Sequence, residues 1–177
     1  HFAGHNIEAV VAPELGAISL AAHVQAKLHD IYRGRGWDVA MVIATKVREP
    51  HPTEKGYFRE TGEFEIVRDQ ARFITGKRCL GIEDVITTGG TMMKTGQAIR
   101  RAGGILVSIG ALWNREAIPG TTVGVDEIYS LVNMRMESWS EDDCKHHHLC
   151  SQGVEIDTRV GKGKAYLAAA QTVQQNP

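Results

Sequence analysis

Residues 79–92 read CLGIEDVITTGGTM: an apolar run meets two adjacent carboxylates, Glu83 and Asp84, and then a turn of threonines and glycines. Backbone N–H groups at the start of a helix are unpaired and carry partial positive charge, so a glycine-rich turn leading into a helix can hold a phosphate. Gly89 and Gly90 let the backbone approach closely, Thr87, Thr88 and Thr91 add hydroxyl donors, and Val85 and Ile86 join this turn to the acids. Two carboxylates beside such a cradle suit vicinal hydroxyls, as on a ribose, or a hydrated cation. The stretch has the parts to hold a sugar that carries a phosphate. The plainer alternative is a strand–turn–helix with a capping threonine. Neither a G-x-x-x-x-G-K-[ST] loop nor a dinucleotide fingerprint occurs.

A second group with possible chemistry lies in ESWSEDDCKHHHLCSQGVEI, residues 137–156. Thiolates and imidazoles are the ligand set of structural zinc, which takes four of them. Cys144, Cys150, His146 and His148 are the candidate zinc ligands. The C-x5-C spacing around a histidine triplet is not that of a standard finger, and the alternative is a polar surface loop with free thiols.

The elements that position these groups follow from pattern. Residues 7–12, 38–45, 77–85, 104–114 and 127–134 read as core strands, and EFEIV at 63–67 alternates like a strand. Helical patterns follow the first strand up to Gly34 and Gly36, follow TTGGT up to Gly103, and cover 162–174. The polar stretch 46–62, with two prolines, reads as a long loop. Strands alternating with helices imply an α/β fold, a mainly parallel twisted sheet with helices on both faces and ligands at the carboxyl ends of the strands. The 177 residues suit one domain, with an α/β core over 1–135 and a Cys/His segment with the final helix over 136–177 in the same domain. A net charge of −1 argues against a general nucleic-acid or membrane-surface binder. No apolar run approaches the roughly 18 residues of a membrane span. Three cysteines, an odd and low count, point to a reducing, cytoplasmic setting. No signal peptide is visible, although the chain opens at His1 rather than Met.

IEDVITTGGT resembles the phosphoribosyl-pyrophosphate (PRPP) motif of type I phosphoribosyltransferases, and the resemblance extends over roughly residues 7–115. It implies that Glu83 and Asp84 hold the ribose hydroxyls and that residues 87–91 hold the 5′-phosphate. VVAPELGAISLA (10–21) is similar to the family's pyrophosphate loop, with Pro13, Glu14, Leu15 and Gly16 facing the pyrophosphate. In ATKVREPHPTEKGYFRETGEFEI (44–66), Lys46 matches the lysine that contacts pyrophosphate, ahead of a mobile loop that closes over the site. Arg48, His51, Lys55 and Arg59 are that loop's candidate contacts. The implied reaction moves a ribose phosphate from PRPP to a nucleobase, giving pyrophosphate and a nucleoside 5′-monophosphate. Mg²⁺ would bridge the sugar hydroxyls and the pyrophosphate, Lys46, Arg48, Lys55 and Asp84 would serve catalysis, and a homodimer is expected. EDVITTGG and RAGG look most like orotate phosphoribosyltransferases, whereas GYFRETGEFEI resembles the tyrosine–glutamate loop of adenine phosphoribosyltransferases. TKVREPHPTEKG departs from the compact Arg-Lys-x-x-Lys-x-His-Gly loop of the orotate enzymes. The amino-terminal hood over the base is expected to be missing before His1. Orotate ranks first, a purine base second, and a nucleotide-sensing regulator of the same fold is the alternative outside catalysis.

Overall fold

The run after Asn6 forms β1, Ala9–Pro13, and every residue in it is buried. A strand apolar on both faces belongs at the centre of a parallel sheet. In the computed structural model, which describes residues 1–53, 55–137, 139–159, 161 and 163–168, β1 occupies that place. It pairs in parallel with β2 (Ala40–Pro50) on one side and β4 (Arg78–Ile86) on the other. With β3 (Phe58–Glu65), β5 (Ile105–Asn114) and β6 (Ile128–Asn133), the six strands run in the order β3-β2-β1-β4-β5-β6. Only the β2–β3 pairing is antiparallel.

Successive strand residues face opposite sides of a sheet. Val10, Ala12, Leu80 and Ile82 accordingly pack with Ala21, Leu28 and Tyr32 of α1 (Ile18–Tyr32). Ala9, Val11, Val42 and Cys79 pack with Ala98 and Ile99 of α3 (Gly90–Arg101) on the other face. A single turn of helix, α2 (Arg68–Ala71), precedes β4. Helices on both faces of a mostly parallel sheet are the architecture the sequence pattern implies. Among the described residues no helix is long and apolar enough to cross a membrane.

The segment 46–62 is not a loop. β2 continues to Pro50, and β3 returns along it, with the amide of His51 donating to the Tyr57 carbonyl at 2.8 Å across the turn. Arg48 stands opposite Glu60 and Glu49 opposite Arg59, so charge complementarity supports the pairing. Almost none of β3 is buried, which removes the apolar alternation by which a strand is recognised.

Contacts divide the chain into two compact units, His1–Met136 and Glu137–Pro177. In the second, Ser140 caps α4 (Glu141–His147) by accepting from the Asp143 amide at 3.1 Å. Acids fill the first turn of α4 and Lys145, His146 and His147 the last, as the helix dipole favours. The expected zinc site is replaced here by a disulfide between Cys144 and Cys150, whose Cα atoms lie 5.2 Å apart. The two sulfurs bond each other, so neither is a thiolate ligand. His146 faces Asp142 at 3.4 Å, and His148 stacks on Trp139 at 4.3 Å. Among the described residues no three His, Cys, Asp or Glu side chains gather in a metal-holding group. The alternative of free thiols at Cys144 and Cys150 is overturned by the same bond, while Cys79 in β4 is a free, buried cysteine whose thiol burial pushes up to about 11. Of the final helix expected over 162–174, residues 163–168 are helical, and 162 and 169–174 lie outside the described residues.

Candidate active site

The parallel strands β1, β2, β4 and β5 bring their carboxyl ends to one edge of the sheet. From β1 the chain passes to β2 on one side, while β4 lies on the other. The sheet thus has its topological switch point between β1 and β4, where ligands of open α/β sheets bind. The two loops leaving this point are 14–17, after β1, and 87–89, after β4.

Glu83, near the end of β4, is 7% exposed, and its Oε1 accepts from the Asp84 amide at 3.1 Å. Burial pushes the Glu83 carboxyl up to about 8, helped by the hydrogen bond and negative charge of Asp84. Glu83 is therefore protonated at neutral pH and can donate a hydrogen bond, while Asp84 is left to accept. Asp84 Oδ1 accepts from the Val85 amide at 2.7 Å. Its other oxygen, Oδ2, lies only 2.7 Å from the position a Cβ on Gly16 would take. Only a residue without a side chain lets the loop after β1 come this close to the end of β4.

Glu14, joined to Leu15 by a cis peptide bond, extends the contact toward β2. Its Oε1 accepts from the Lys46 amide at 2.9 Å and lies 3.7 Å from Arg48 Nη2. Lys46 Nζ sits 2.8 Å from Glu60 Oε2, and Arg48 lies 3.8 Å from Glu60 Oε1. The loop after β1 thus touches Asp84 through Gly16 and, through Glu14, the cluster of Lys46, Arg48 and Glu60. Lys55 is exposed in the turn between β2 and β3. Arg59 pairs with Glu49 at 2.6 Å on the face opposite Arg48.

The turn after β4 is a bare helix start. α3 begins at Gly90 behind Gly89 at φ +81°, with no side-chain cap and no acid in its first turn. The capping threonine of the plainer alternative is not there. Glu83, Val85, Ile86 and the run from Thr87 to Met92 line a cavity of about 50 Å³, room for one small group. Asn114 supports this turn, a role that sequence reading missed. Buried at the end of β5, it donates to the Ile118 carbonyl at 2.9 Å and accepts from the Ile118 amide at 3.1 Å. Ile118 in turn packs where a Cβ on Gly89 would stand, 2.6 Å from its Cδ1. A buried amide at a strand end was the available signal. Neighbouring Trp113 donates from Nε1 to the Met134 carbonyl at 2.9 Å.

Residues 1–132 match the phosphoribosyl transferase domain. The chain belongs to the type I phosphoribosyltransferase family. That is a family of pentosyltransferases, and PRPP with a nucleobase is its expected substrate pair. The chain is 26% identical over 157 residues to the orotate phosphoribosyltransferase of Chlorobium phaeobacteroides, covering 89% of this chain and 67% of the relative. It is 28% identical over 153 residues to that of Pelotomaculum thermopropionicum, covering 86% and 66%. In fold it is similar to the adenine phosphoribosyltransferase of Giardia lamblia solved with 9-deazaadenine (TM-score 0.54, 21% identity, 77% and 75% covered). The Saccharomyces cerevisiae adenine enzyme is comparable (TM-score 0.52, 20% identity, 73% and 69% covered).

The environment of Glu83 predicts a pH dependence of stability. The unfolded carboxyl titrates near 4.5 and the folded one near 8, so between these values the folded state holds a proton that the unfolded state has released. The contribution of Glu83 to stability therefore falls as pH rises through that window. Glu83→Gln removes this contribution, and its melting temperature should decline less than the wild type's between about pH 5 and pH 8.5. Calorimetry at several pH values checks this, and equal slopes would mean that Glu83 titrates like an exposed acid.

Proposed function

We propose that the chain transfers the ribose 5-phosphate of PRPP to a nucleobase, with orotate as the favoured acceptor, and releases pyrophosphate. The observation that carries this reading is the seating of the Asp84 carboxylate against Gly16. It supports the reading because it brings the loop after β1 next to the acid pair, which itself leads into the glycine turn. In this reading the amides of 87–91 and the threonine hydroxyls hold the 5′-phosphate. Protonated Glu83 donates to a ribose hydroxyl and Asp84 accepts from another. The Glu14 amide already donates to the Ala44 carbonyl at 3.0 Å and Pro13 has no N–H, so of the expected loop 13–16 the amides of Leu15 and Gly16, with Lys46 and Arg48, take the pyrophosphate, and Lys55 reaches it from the hairpin turn.

The bond from the anomeric carbon to pyrophosphate breaks, its electron pair leaves with the pyrophosphate, and a base nitrogen bonds to that carbon as the base gives up a proton, which the departing pyrophosphate can take. Charge develops on the sugar and on the leaving group, so positioned cations and amides supply most of the rate. Asp84 offers a hard oxygen that would hold Mg²⁺, and the ion would offset charge on the pyrophosphate. A homodimer belongs to the same proposal.

Orotate is favoured because the curated relatives at 26% and 28% identity are orotate enzymes. The purine reading draws on Tyr57 and Glu60 in GYFRETGEFEI. The deciding experiment measures pyrophosphate release from PRPP and Mg²⁺ with orotate, uracil, adenine, guanine, hypoxanthine and xanthine in parallel. Release with orotate alone is the expected result, and release with a purine reassigns the acceptor. Silence with all six, together with measurable PRPP binding, moves the chain to a sensing role.

A further inference from the structure

The two cations assigned above to pyrophosphate already have partners within the chain. Lys46 Nζ and Glu60 Oε2 are 2.8 Å apart, and Arg48 lies 3.8 Å from the other oxygen of the same carboxylate. Register puts Glu60 directly opposite Arg48, on the face that carries both cations. Glu49 and Arg59, one residue along on each strand, pair with each other on the other face. The hydrogen bond from Lys46, with its charge and that of Arg48, holds the Glu60 carboxyl below the usual range, so it is ionised at neutral pH.

These side chains remain accessible: 38% for Lys46, 46% for Glu60 and 58% for Arg48. Ion pairs exposed to this degree are weak and exchange readily. A pyrophosphate, with several charges and many acceptor oxygens, can outcompete a single carboxylate for a lysine and an arginine. Glu60 then has two effects. It keeps the cations arranged on one face while the site is empty, and it competes with the anion that uses them.

We propose that Glu60 is a built-in counter-ion of Lys46 and Arg48, displaced when pyrophosphate binds and returning as it leaves, so that it sets how tightly pyrophosphate is held. The proposal rests on the phosphoribosyltransferase reading of the site. Glu60 is a positioning residue here, acting through the two cations.

The test is isothermal titration of the full chain with inorganic pyrophosphate and Mg²⁺, comparing wild type with Glu60→Gln and Glu49→Gln. Removing a competing surface carboxylate is expected to lower the dissociation constant by about 2- to 5-fold in Glu60→Gln. Glu49→Gln, which removes the same charge from the opposite face, should bind as wild type does. Unchanged or weaker binding by Glu60→Gln overturns the proposal, because it would make the carboxylate a support for the cations and not their competitor. Equal tightening by Glu49→Gln overturns it too, since net charge alone would then explain the gain. A wild-type chain that binds no pyrophosphate overturns the reading of the site itself, and the counter-ion role with it.

Discussion

Asp84→Asn should lower pyrophosphate release from PRPP by about 10²- to 10³-fold while leaving the melting temperature nearly unchanged. The substitution preserves shape, and the retained Oδ1 still accepts from the Val85 amide that Asp84 holds at 2.7 Å. What it removes is a negative charge on the open side of the acid pair, next to the loop after β1. Burial, the largest cause of the upward shift at Glu83, persists in the variant and opposes ionisation of Glu83 in its place. Steady-state kinetics with PRPP, run beside thermal melts, separates the two effects. Gly16→Ala approaches the same contact from the loop after β1, because its Cβ would stand 2.7 Å from Asp84 Oδ2 and push the carboxylate out of line. If Asp84→Asn lost stability in proportion to activity, the acids would be structural.

Much of this site was legible because its chemistry is local. The acid pair, the glycine turn and the helix that follows are contiguous in residues 79–101, and pattern places them on a strand, a loop and a helix. The loop after β1 was legible for the same reason: a fully apolar strand running into Pro13-Glu14-Leu15-Gly16 marks its own end. What failed were features set by partners distant in sequence or by exposed surface. The β2–β3 hairpin carries charges where a buried strand would carry valines, so its polarity reads as a loop until Arg48 is seen opposite Glu60. Glu60 shows as a counter-ion only when register brings it to Lys46, 14 residues earlier. Asn114 supports the glycine turn through Ile118, a relation that crosses from β5 to the start of α3. The cysteines misled because spacing alone does not say whether two sulfurs share a metal or bond each other; in α4 and the turn after it they face one another.

The glycine turn after β4 yields the second large effect. Gly89→Ala should destabilise the fold by about 1–3 kcal/mol and weaken PRPP binding by about 10²-fold. Two separate penalties act at this residue. Its φ of +81° is a left-handed conformation that side chains adopt only under strain. A Cβ there would also stand 2.6 Å from Ile118 Cδ1 and 2.8 Å from Val123 Cγ1, side chains held in place by Asn114 and by a buried core. Relief of either penalty has to move the start of α3, and with it the amides that line the cavity. Gly90→Ala is the contrast in stability: the residue is already helical, and its Cβ would meet only Thr88 Oγ1, at 3.8 Å. Alanine there should leave stability equal or raise it by up to about 1 kcal/mol. Calorimetric melts of both variants and PRPP titration of Gly89→Ala test the pair. Shortening Ile118 to Val in the Gly89→Ala background should return part of the lost stability, the part due to the clash, while the backbone strain persists. If Gly89→Ala and Gly90→Ala melted alike, the left-handed glycine would not be what shapes the turn.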